Sequence, residues 1–265
     1  MTDETAFFTC DGDLFVPTAL ARSPWSGTAI TGLAVSGLLM RAFETERPDA
    51  MHLARFTVDF LGEVPNAPLR LEHTWDKRGG RLSFSSVTLS SEDGRVGARA
   101  SAMWLRDAET PAADFAQDYP RWQDIEAVPF WRGPALHGFG ETRPVEGRIG
   151  LPGRGIVWVK PRFSVIAGQV ASPLCQAAIL SDMGNGIGTP VDGREFSFAN
   201  TDIGLHLYRE PVGEWLMIDS QGASGGRGDA VTHTTFADER GVYARGWQTL
   251  FVAPYPAGQP SHFEE

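Results

Sequence analysis

The sequence predicts an α+β protein built from two similar tandem halves, in each of which an antiparallel sheet wraps around one central helix. Two segments recur at one offset of about 147 residues, and the unit is far longer than a solenoid repeat. Phe56–Phe60 matches Ile203–Leu207, and Val96–Ala100 matches Val242–Gly246. A single sheet with one apolar face can bury that face against a helix, so we expect one helix in each half.

In the first half, the predicted helix is Thr31–Glu46. Its apolar side chains crowd one broad face, and Arg47-Pro48 ends it. Alternating apolar and polar residues then predict strands from Met51 to Phe60 and over 69–75, 82–89 and 96–105. The intervening Arg78-Gly79-Gly80 and Glu92-Asp93-Gly94 have the composition of hairpin turns.

The second half repeats this order. A strand is predicted over 156–165, and Ser172-Pro173 then starts a helix, Leu174–Met183, that ends at Gly184. Four further strands are predicted over 196–208, 215–220, 230–236 and 242–252. Residues 111–154 are rich in proline, glycine and charge, and we interpret them as a connector that packs on the surface through Trp122, Phe130 and Trp131. The predicted domains are therefore 1–110 and 155–265.

Composition excludes several classes of protein. The 265 residues carry a formal net charge of −10, which argues against a broad nucleic-acid surface. The two cysteines and six histidines have no metal-ligand spacing, so we expect no metal and no cofactor. No apolar run reaches the length of a membrane span, and the acidic start Met1-Thr2-Asp3-Glu4 is unlike a signal peptide. We therefore expect a cytoplasmic protein.

Several stretches in this order resemble the double-hotdog acyl-CoA thioesterase family of the thioesterase II type, over about residues 20–252. In the first half they are Pro24-Trp25-Ser26 leading to Gly32, and Arg55 to Leu61. In the second half they are Leu180-Ser181-Asp182, Gly184-Asn185-Gly186, Asn200-Thr201-Asp202, Pro211 to Trp215, and Ala244 to Gln248. The resemblance implies two tandem hotdog domains, an acyl-CoA substrate, and assembly as a dimer of double hotdogs.

The resemblance also implies which residues hold the hydrolytic water. The family's helix aspartate falls on Asp182 and its strand glutamine on Gln248. The position of its hydroxyl residue falls on Asn200, with Thr201 adjacent. Because a shift of one residue along a strand turns the side chain to the other face, Asn200 is the preferred assignment and Thr201 a further substrate-binding candidate.

The residue chemistry supports the same site independently. Thioester hydrolysis needs a proton acceptor, groups that orient water, and donors where the carbonyl oxygen becomes negative. Asp182 lies near the end of an apolar helix, where burial would raise its pKa. Gly32 and Leu33 open the first helix, where backbone N–H groups have no helical partner. The basic turn with Arg78 and Arg81 is a candidate for binding the CoA diphosphate.

Two alternatives compete with this interpretation. Gly222-Ala223-Ser224-Gly225-Gly226 fits the G-x-S-x-G pattern of serine hydrolases, but the residues after it predict a strand and not the required helix. Gly184 to Gly188 follows a helix and not a strand, which excludes a dinucleotide fingerprint. The remaining functional alternative is a hotdog protein that binds acyl thioesters without hydrolysing them.

Overall fold

The computed structural model describes residues 5–113, 119–129, 140–255, 261 and 263. In the first half, a hairpin precedes the predicted helix α1 and its four strands. The elements are β1 (Ala6–Asp11), β2 (Leu14–Pro17), α1 (Gly32–Thr45), β3 (Met51–Phe60), β4 (Leu69–Lys77), β5 (Leu82–Ser91) and β6 (Val96–Arg106). The hairpin was not predicted from the sequence, whereas α1 lies within one residue of its predicted ends at each terminus.

The second half has the same order of a helix followed by antiparallel strands. Its elements are β7 (Val128–Pro129), β8 (Gly140–Glu146), β9 (Gly155–Pro161), β10 (Ser164–Ile166), α2 (Pro173–Ser181), α3 (Gly184–Ile187), β11 (Phe196–Asn200), β12 (Asp202–Leu207), β13 (Leu216–Ser224), β14 (Asp229–Asp238) and β15 (Gly241–Pro254). Two predicted strands are each divided. The 156–165 segment forms β9 and β10, and the 196–208 segment breaks at Thr201 into β11 and β12.

All the described strands belong to one sheet. Its order is β10-β1-β2-β4-β5-β6-β3-β12-β15-β14-β13-β9-β8-β7, and β11 also pairs with β15. Strand β8 lies inside the predicted 111–154 connector and extends the sheet beside β9. Another part of that connector packs on the sheet through an aromatic side chain, because the Trp122 ring stacks on Trp215 with centroids 4.9 Å apart. Phe130 and Trp131 lie outside the described residues.

The two halves meet along β3 and β12, the recurring segments identified in the sequence. Thr57 pairs with Gly204, the residue that the repeat offset makes its equivalent. On either side of this pair the partners are related by the same symmetry. Phe56 pairs with Leu205, the equivalent of Val58, and Val58 pairs with Ile203, the equivalent of Phe56. This register requires a pseudo-twofold axis through the centre of the seam, and it confirms the predicted double hotdog.

The helices fill the concave side of the sheet. Helices α1 and α2 pack against each other and contribute most of their residues to the main hydrophobic core. They run antiparallel, because Gly32 at the start of α1 lies against Asp182 at the end of α2, and Ser172 at the start of α2 bonds Glu44 near the end of α1. Each helix N-terminus therefore faces the C-terminus of the other. No helix within the described residues is long and apolar enough to cross a membrane.

Candidate active site

Asp182 is placed at the interface of the halves by the way α2 is built. The Ser172 hydroxyl accepts a hydrogen bond from the Cys175 N–H at 3.0 Å, and Pro173 occupies the first helical position, so the start of the helix is fixed. Seven of the nine helix residues are buried. The helix thus runs through the core, and its C-cap residue, Asp182, emerges against the other half.

The Asp182 carboxylate is shielded from solvent. Burial raises its pKa to about 6, and a hydrogen bond from Asn200 opposes that rise because it favours the charged form. A carboxylate with this pKa is ionised at neutral pH and is a stronger base than an exposed aspartate. Its environment therefore suits it to accept a proton from water.

Asn200 reaches Asp182 from the end of β11. Its Nδ2 donates to Asp182 Oδ1 at 2.7 Å and lies 3.3 Å from the Asp182 carbonyl oxygen. Its Oδ1 is buried and has no hydrogen-bond partner among the described residues. Thr201 turns to the opposite face, where its hydroxyl donates to the Thr249 carbonyl oxygen at 3.0 Å. The structure therefore brings Asn200, and not Thr201, to Asp182.

Gln248 holds the backbone of Asp182. From the inward face of β15, its Nε2 donates to the Asp182 carbonyl oxygen at 3.2 Å, and its Oε1 accepts from the Thr232 hydroxyl at 3.2 Å. Gln248 is 2% exposed and Thr232 fully buried. Both ends of the carboxamide are thus engaged by protein groups, and the side chain acts on Asp182 rather than standing free towards solvent.

Three hydroxyls beside Gln248 were missed in the sequence. Ser220, Thr232 and Thr234 point inward from β13 and β14, and the Ser220 and Thr234 hydroxyls lie 2.9 Å apart. Ser220 also donates to the Gly184 carbonyl oxygen at 2.8 Å. Gly184 has no room for a side chain, because an added Cβ would meet Gln248 Oε1 at 2.5 Å and would also contact Thr234. The alternation of Thr232 and Thr234 with Val231 and His233 was the signal that could have revealed them.

Gly32 and Leu33 form the opposite wall of the site. A Cβ at Gly32 would lie 2.5 Å from Asp182 Oδ1, so the start of α1 directly contacts the carboxylate. Thr31 does not cap this helix with its side chain, and among the described residues the Gly32 and Leu33 N–H groups make no backbone hydrogen bond. The Leu33 side chain is buried in the core, so only its backbone can serve the site. Two amide donors and the positive end of the helix dipole therefore lie beside Asp182.

The pseudo-symmetric position at the other ends of the helices is closed by side chains. There Glu44 accepts from Ser172 Oγ at 2.6 Å and from Cys175 Sγ at 3.1 Å. Pro173 is the first residue of α2, as Gly32 is of α1, and proline has no N–H to offer. The Cys175 N–H already donates to the Ser172 hydroxyl. Among the described residues, a pair of adjacent open amide donors therefore lies beside a carboxylate in only one of the two related places.

Arg78 and Arg81 lie elsewhere, in the turn between β4 and β5. This turn lies near the C-terminal end of α1, and the 14-residue helix is about 20 Å long. The Arg78 guanidinium lies over the Trp75 ring, 4.6 Å from its centroid. Beside it is a cleft of about 590 Å³, whose charged lining residues are the basic Arg47, Arg78 and Arg106 and the acidic Glu46 and Asp49. The structure does not bring the basic turn next to Asp182.

The competing serine site is excluded by its setting. Ser224 ends β13 and enters a hairpin to β14, where its hydroxyl donates to the Asp229 carbonyl oxygen at 2.7 Å. It is exposed, it is not followed by the helix that a nucleophilic elbow requires, and within the described part of the chain its hydroxyl bonds only backbone groups and no base. Among the described residues, no group of three or more histidine, cysteine, aspartate or glutamate side chains is arranged to hold a metal ion.

Solved structures share this architecture over nearly the whole chain. The TesB protein of Mycobacterium avium subsp. paratuberculosis has a TM-score of 0.71 at 18% identity, covering 93% of this chain and 96% of that one. The acyl-CoA thioesterase II TesB2 of Mycobacterium marinum gives 0.66 at 18%, covering 95% and 96%. A hot dog fold protein of unknown function from Alicyclobacillus acidocaldarius gives 0.71 at 13%, covering 96% and 98%.

The sequence itself matches two family models in tandem. The acyl-CoA thioesterase N-terminal domain matches residues 21–105, and the acyl-CoA thioesterase C-terminal domain matches residues 115–252. No curated protein matches the sequence significantly. The C-terminal model alone covers more than half of the chain and includes Asp182, Asn200 and Gln248. The chain therefore belongs to the acyl-CoA thioesterase family and is a thioester hydrolase.

Proposed function

We propose that this protein hydrolyses an acyl-CoA thioester to the free acid and CoA, with Asp182 as the general base. The observation that carries the proposal is the contact between the Asp182 carboxylate and the uncapped start of α1 at Gly32. A proton acceptor and two amide donors lie side by side there. Hydrolysis of a thioester needs both, on either side of one carbonyl group.

The steps follow from that arrangement. The thioester oxygen accepts hydrogen bonds from the Gly32 and Leu33 N–H groups, which polarises the carbonyl carbon. Asp182 takes a proton from water as the water oxygen bonds to that carbon. The tetrahedral oxyanion then collapses, the carbon–sulfur bond breaks, and the thiolate of CoA leaves. Asp182 returns its proton to the thiolate, so one water is consumed and the base is regenerated.

Asn200 and Gln248 have different parts in this scheme. Asn200 donates to Asp182 Oδ1, and its own unpartnered Oδ1 is a candidate acceptor for a hydrogen of the attacking water. Gln248 holds the Asp182 carbonyl oxygen and is itself held by Thr232. We therefore assign Asn200 to orienting the water and Gln248 to positioning the base.

The nucleotide end of CoA is proposed to bind at the basic turn. Arg78, stacked on Trp75, presents cationic and aromatic surfaces beside the 590 Å³ cleft, and Arg81 is exposed in the same turn. Arginine binds diphosphate groups well through charge-assisted hydrogen bonds, and an aromatic side chain can stack on an adenine ring. Since α1 is about 20 Å long, a substrate that reaches both places must extend along the helix.

We also propose that two copies assemble through the outer face of the sheet at the seam. Trp247 is 47% exposed there, opposite Gly204, and packs edge-on against His206. On one side of Trp247, three basic side chains form a row across neighbouring strands, here called the basic row: Arg245, His206 and Arg55. On the other side of Trp247 lies the acidic pair Asp202 and Asp59, here called the acidic row, and the exposed Arg99 of β6 follows next to Asp59.

The two rows select one arrangement of the copies. If a twofold axis runs across the strands through Gly204, the basic row of each copy faces the acidic row of the other. Arg55 then lies opposite Asp59 of the second copy. An axis along the strands would instead place like charges together, which is unfavourable. The surface is thus complementary to itself in one orientation, as an isologous interface requires.

A charge exchange tests this assembly. Light scattering after gel filtration should give a dimer for the wild type, a monomer for Arg55→Glu, and a dimer again for Arg55→Glu/Asp59→Arg. A wild-type monomer, or a dimer that Arg55→Glu leaves intact, contradicts the proposed interface.

The catalytic assignment is tested by two variants in one acyl-CoA assay with free-thiol detection. Asp182→Asn keeps the shape but removes the proton acceptor, so kcat should fall by ~10²–10⁴-fold. Ser224→Ala should retain wild-type activity, since Ser224 lies in a hairpin. Loss in the serine variant with retention in the aspartate variant would replace this mechanism by a serine nucleophile.

A further inference from the structure

Phe263, near the C-terminus, joins the two halves of the protein beside the candidate site. Its ring lies 5.0 Å from the Trp25 ring and 5.7 Å from the Phe198 ring, on which it stacks. Trp25 belongs to the segment that enters α1, and Phe198 belongs to β11. Phe263 thus bridges an element of each half.

The surrounding backbone is shaped to receive this ring. An added Cβ at Gly193 would lie 2.5 Å from the ring atom Cδ2, and one at Gly150 would also collide with the ring. Ser261 ties the same stretch down, since its hydroxyl donates to the Gly193 carbonyl oxygen at 3.1 Å and accepts from the Phe263 N–H at 3.0 Å. The ring occupies a built socket, not a chance surface contact.

The socket shares its walls with the Asp182 site. Phe198 and Asn200 alternate on β11 and share one face, about 7 Å apart along the strand. On the other side, Thr31 N–H donates to the Ala21 carbonyl oxygen at 2.8 Å, which closes the Trp25 segment into a loop at the start of α1. The ring therefore fills apolar space between the segments that carry Gly32 and Asn200.

We propose that Phe263 is a specificity-determining residue that limits the size of the acyl group. The inference rests on the proposed hydrolysis at Asp182. An aromatic ring held in an aromatic and glycine-lined socket takes up volume that an apolar substrate group would otherwise occupy. Replacing the ring by a smaller side chain enlarges the site on its apolar side and leaves Asp182, Asn200 and Gly32 in place.

The experiment compares kcat/KM across straight-chain acyl-CoAs of increasing length and an acyl-CoA whose acyl chain carries a phenyl ring. In Phe263→Ala, the ratio of kcat/KM for bulky over short substrates should rise by ~10-fold or more, the scale of discrimination that hydrophobic pockets provide. Phe263→Leu should give an intermediate ratio. Phe251→Ala is the matched control, because Phe251 is 60% exposed on the outer face of β15, and its ratio should equal the wild-type ratio.

Calorimetry with non-hydrolysable thioether analogues of the same acyl-CoAs provides a second readout, the ratio of the binding constants for bulky and short acyl groups. An unchanged ratio in both measurements, or an equal change for every substrate, overturns the assignment of Phe263. Failure of the proposed function has a different signature, namely hydrolysis that Asp182→Asn does not reduce. In that case the thioether series still decides whether Phe263 limits the bound group.

Discussion

The backbone of Gly32 touches the carboxylate of Asp182 across the boundary between the two halves. A Cβ at Gly32 would lie 2.5 Å from Oδ1 and 2.7 Å from Oδ2, closer than side-chain carbons approach oxygen in folded proteins. The glycine begins one central helix and the aspartate ends the other. Any side chain at position 32 must therefore move the proposed base or the helix.

Replacing Gly32 with alanine should damage catalysis while the fold persists. The new methyl group displaces the Asp182 carboxylate, and misplacement of a reacting group by about 1 Å can cost ~10²-fold in rate. We expect kcat/KM for acyl-CoA to fall by about that factor. Gly27→Ala is the matched control, since nothing lies within 4 Å of its added Cβ. Equal activity in the two variants would remove the helix start from the site.

Replacing Asp182 with asparagine should stabilise the protein as it inactivates it. The folded-state pKa of about 6 lies above the unfolded value, so ionisation of Asp182 lowers wild-type stability as pH rises through 6. Asparagine does not ionise. Urea unfolding should show the variant more stable by ~1–3 kcal/mol at pH 8, with a smaller advantage at pH 5. A variant that is less stable at pH 8 would contradict a desolvated carboxylate.

The pH dependence of kcat/KM should report the same group. Because the base must be ionised, activity should rise with pH through an apparent pKa of about 6. Asn200→Leu removes the hydrogen bond that lowers the pKa, so the rising limb should move to higher pH. Asn200→Thr keeps a hydroxyl donor and should move it less. A limb that stays in place in both variants would separate Asn200 from the base.

The sequence predicted the parts of the site that local patterns control. Apolar periodicity located both helices, the repeat located the seam, and strand alternation placed Asn200 inward and Thr201 outward. It did not predict that the Gln248 carboxamide is fully engaged by Asp182 and Thr232, because these contacts join α2, β14 and β15 in space. Charge density in a turn made Arg78 and Arg81 candidates for binding CoA, but it says nothing about which end of α1 that turn will meet.

Thr232 offers a test of how Gln248 acts. Thr232→Val removes the donor to Gln248 Oε1 and leaves a buried acceptor unpaired, which costs about 1–3 kcal/mol if the side chain stays in place. We expect kcat to fall about 10-fold with little change in KM, because Gln248 positions the base and not the substrate. Thr232→Ser should restore kcat. Thr235→Val, on the outward face of β14, is the control, and a similar loss there would indicate a general strand effect.

The basic turn can be separated from catalysis by the choice of substrate. Arg78→Ala/Arg81→Ala should raise KM for acyl-CoA about 10-fold at low salt, with a smaller effect at high salt, since exposed charges are screened. A small acyl thioester without the nucleotide should be hydrolysed normally, because the turn lies near the far end of α1 from Gly32. Arg227→Ala/Arg240→Ala makes the same change in charge at two other exposed positions and should leave KM unaltered. If both double variants raise KM equally, net charge and not a nucleotide site attracts CoA. If the small thioester is affected as strongly as acyl-CoA, the turn supports the fold of the first half instead.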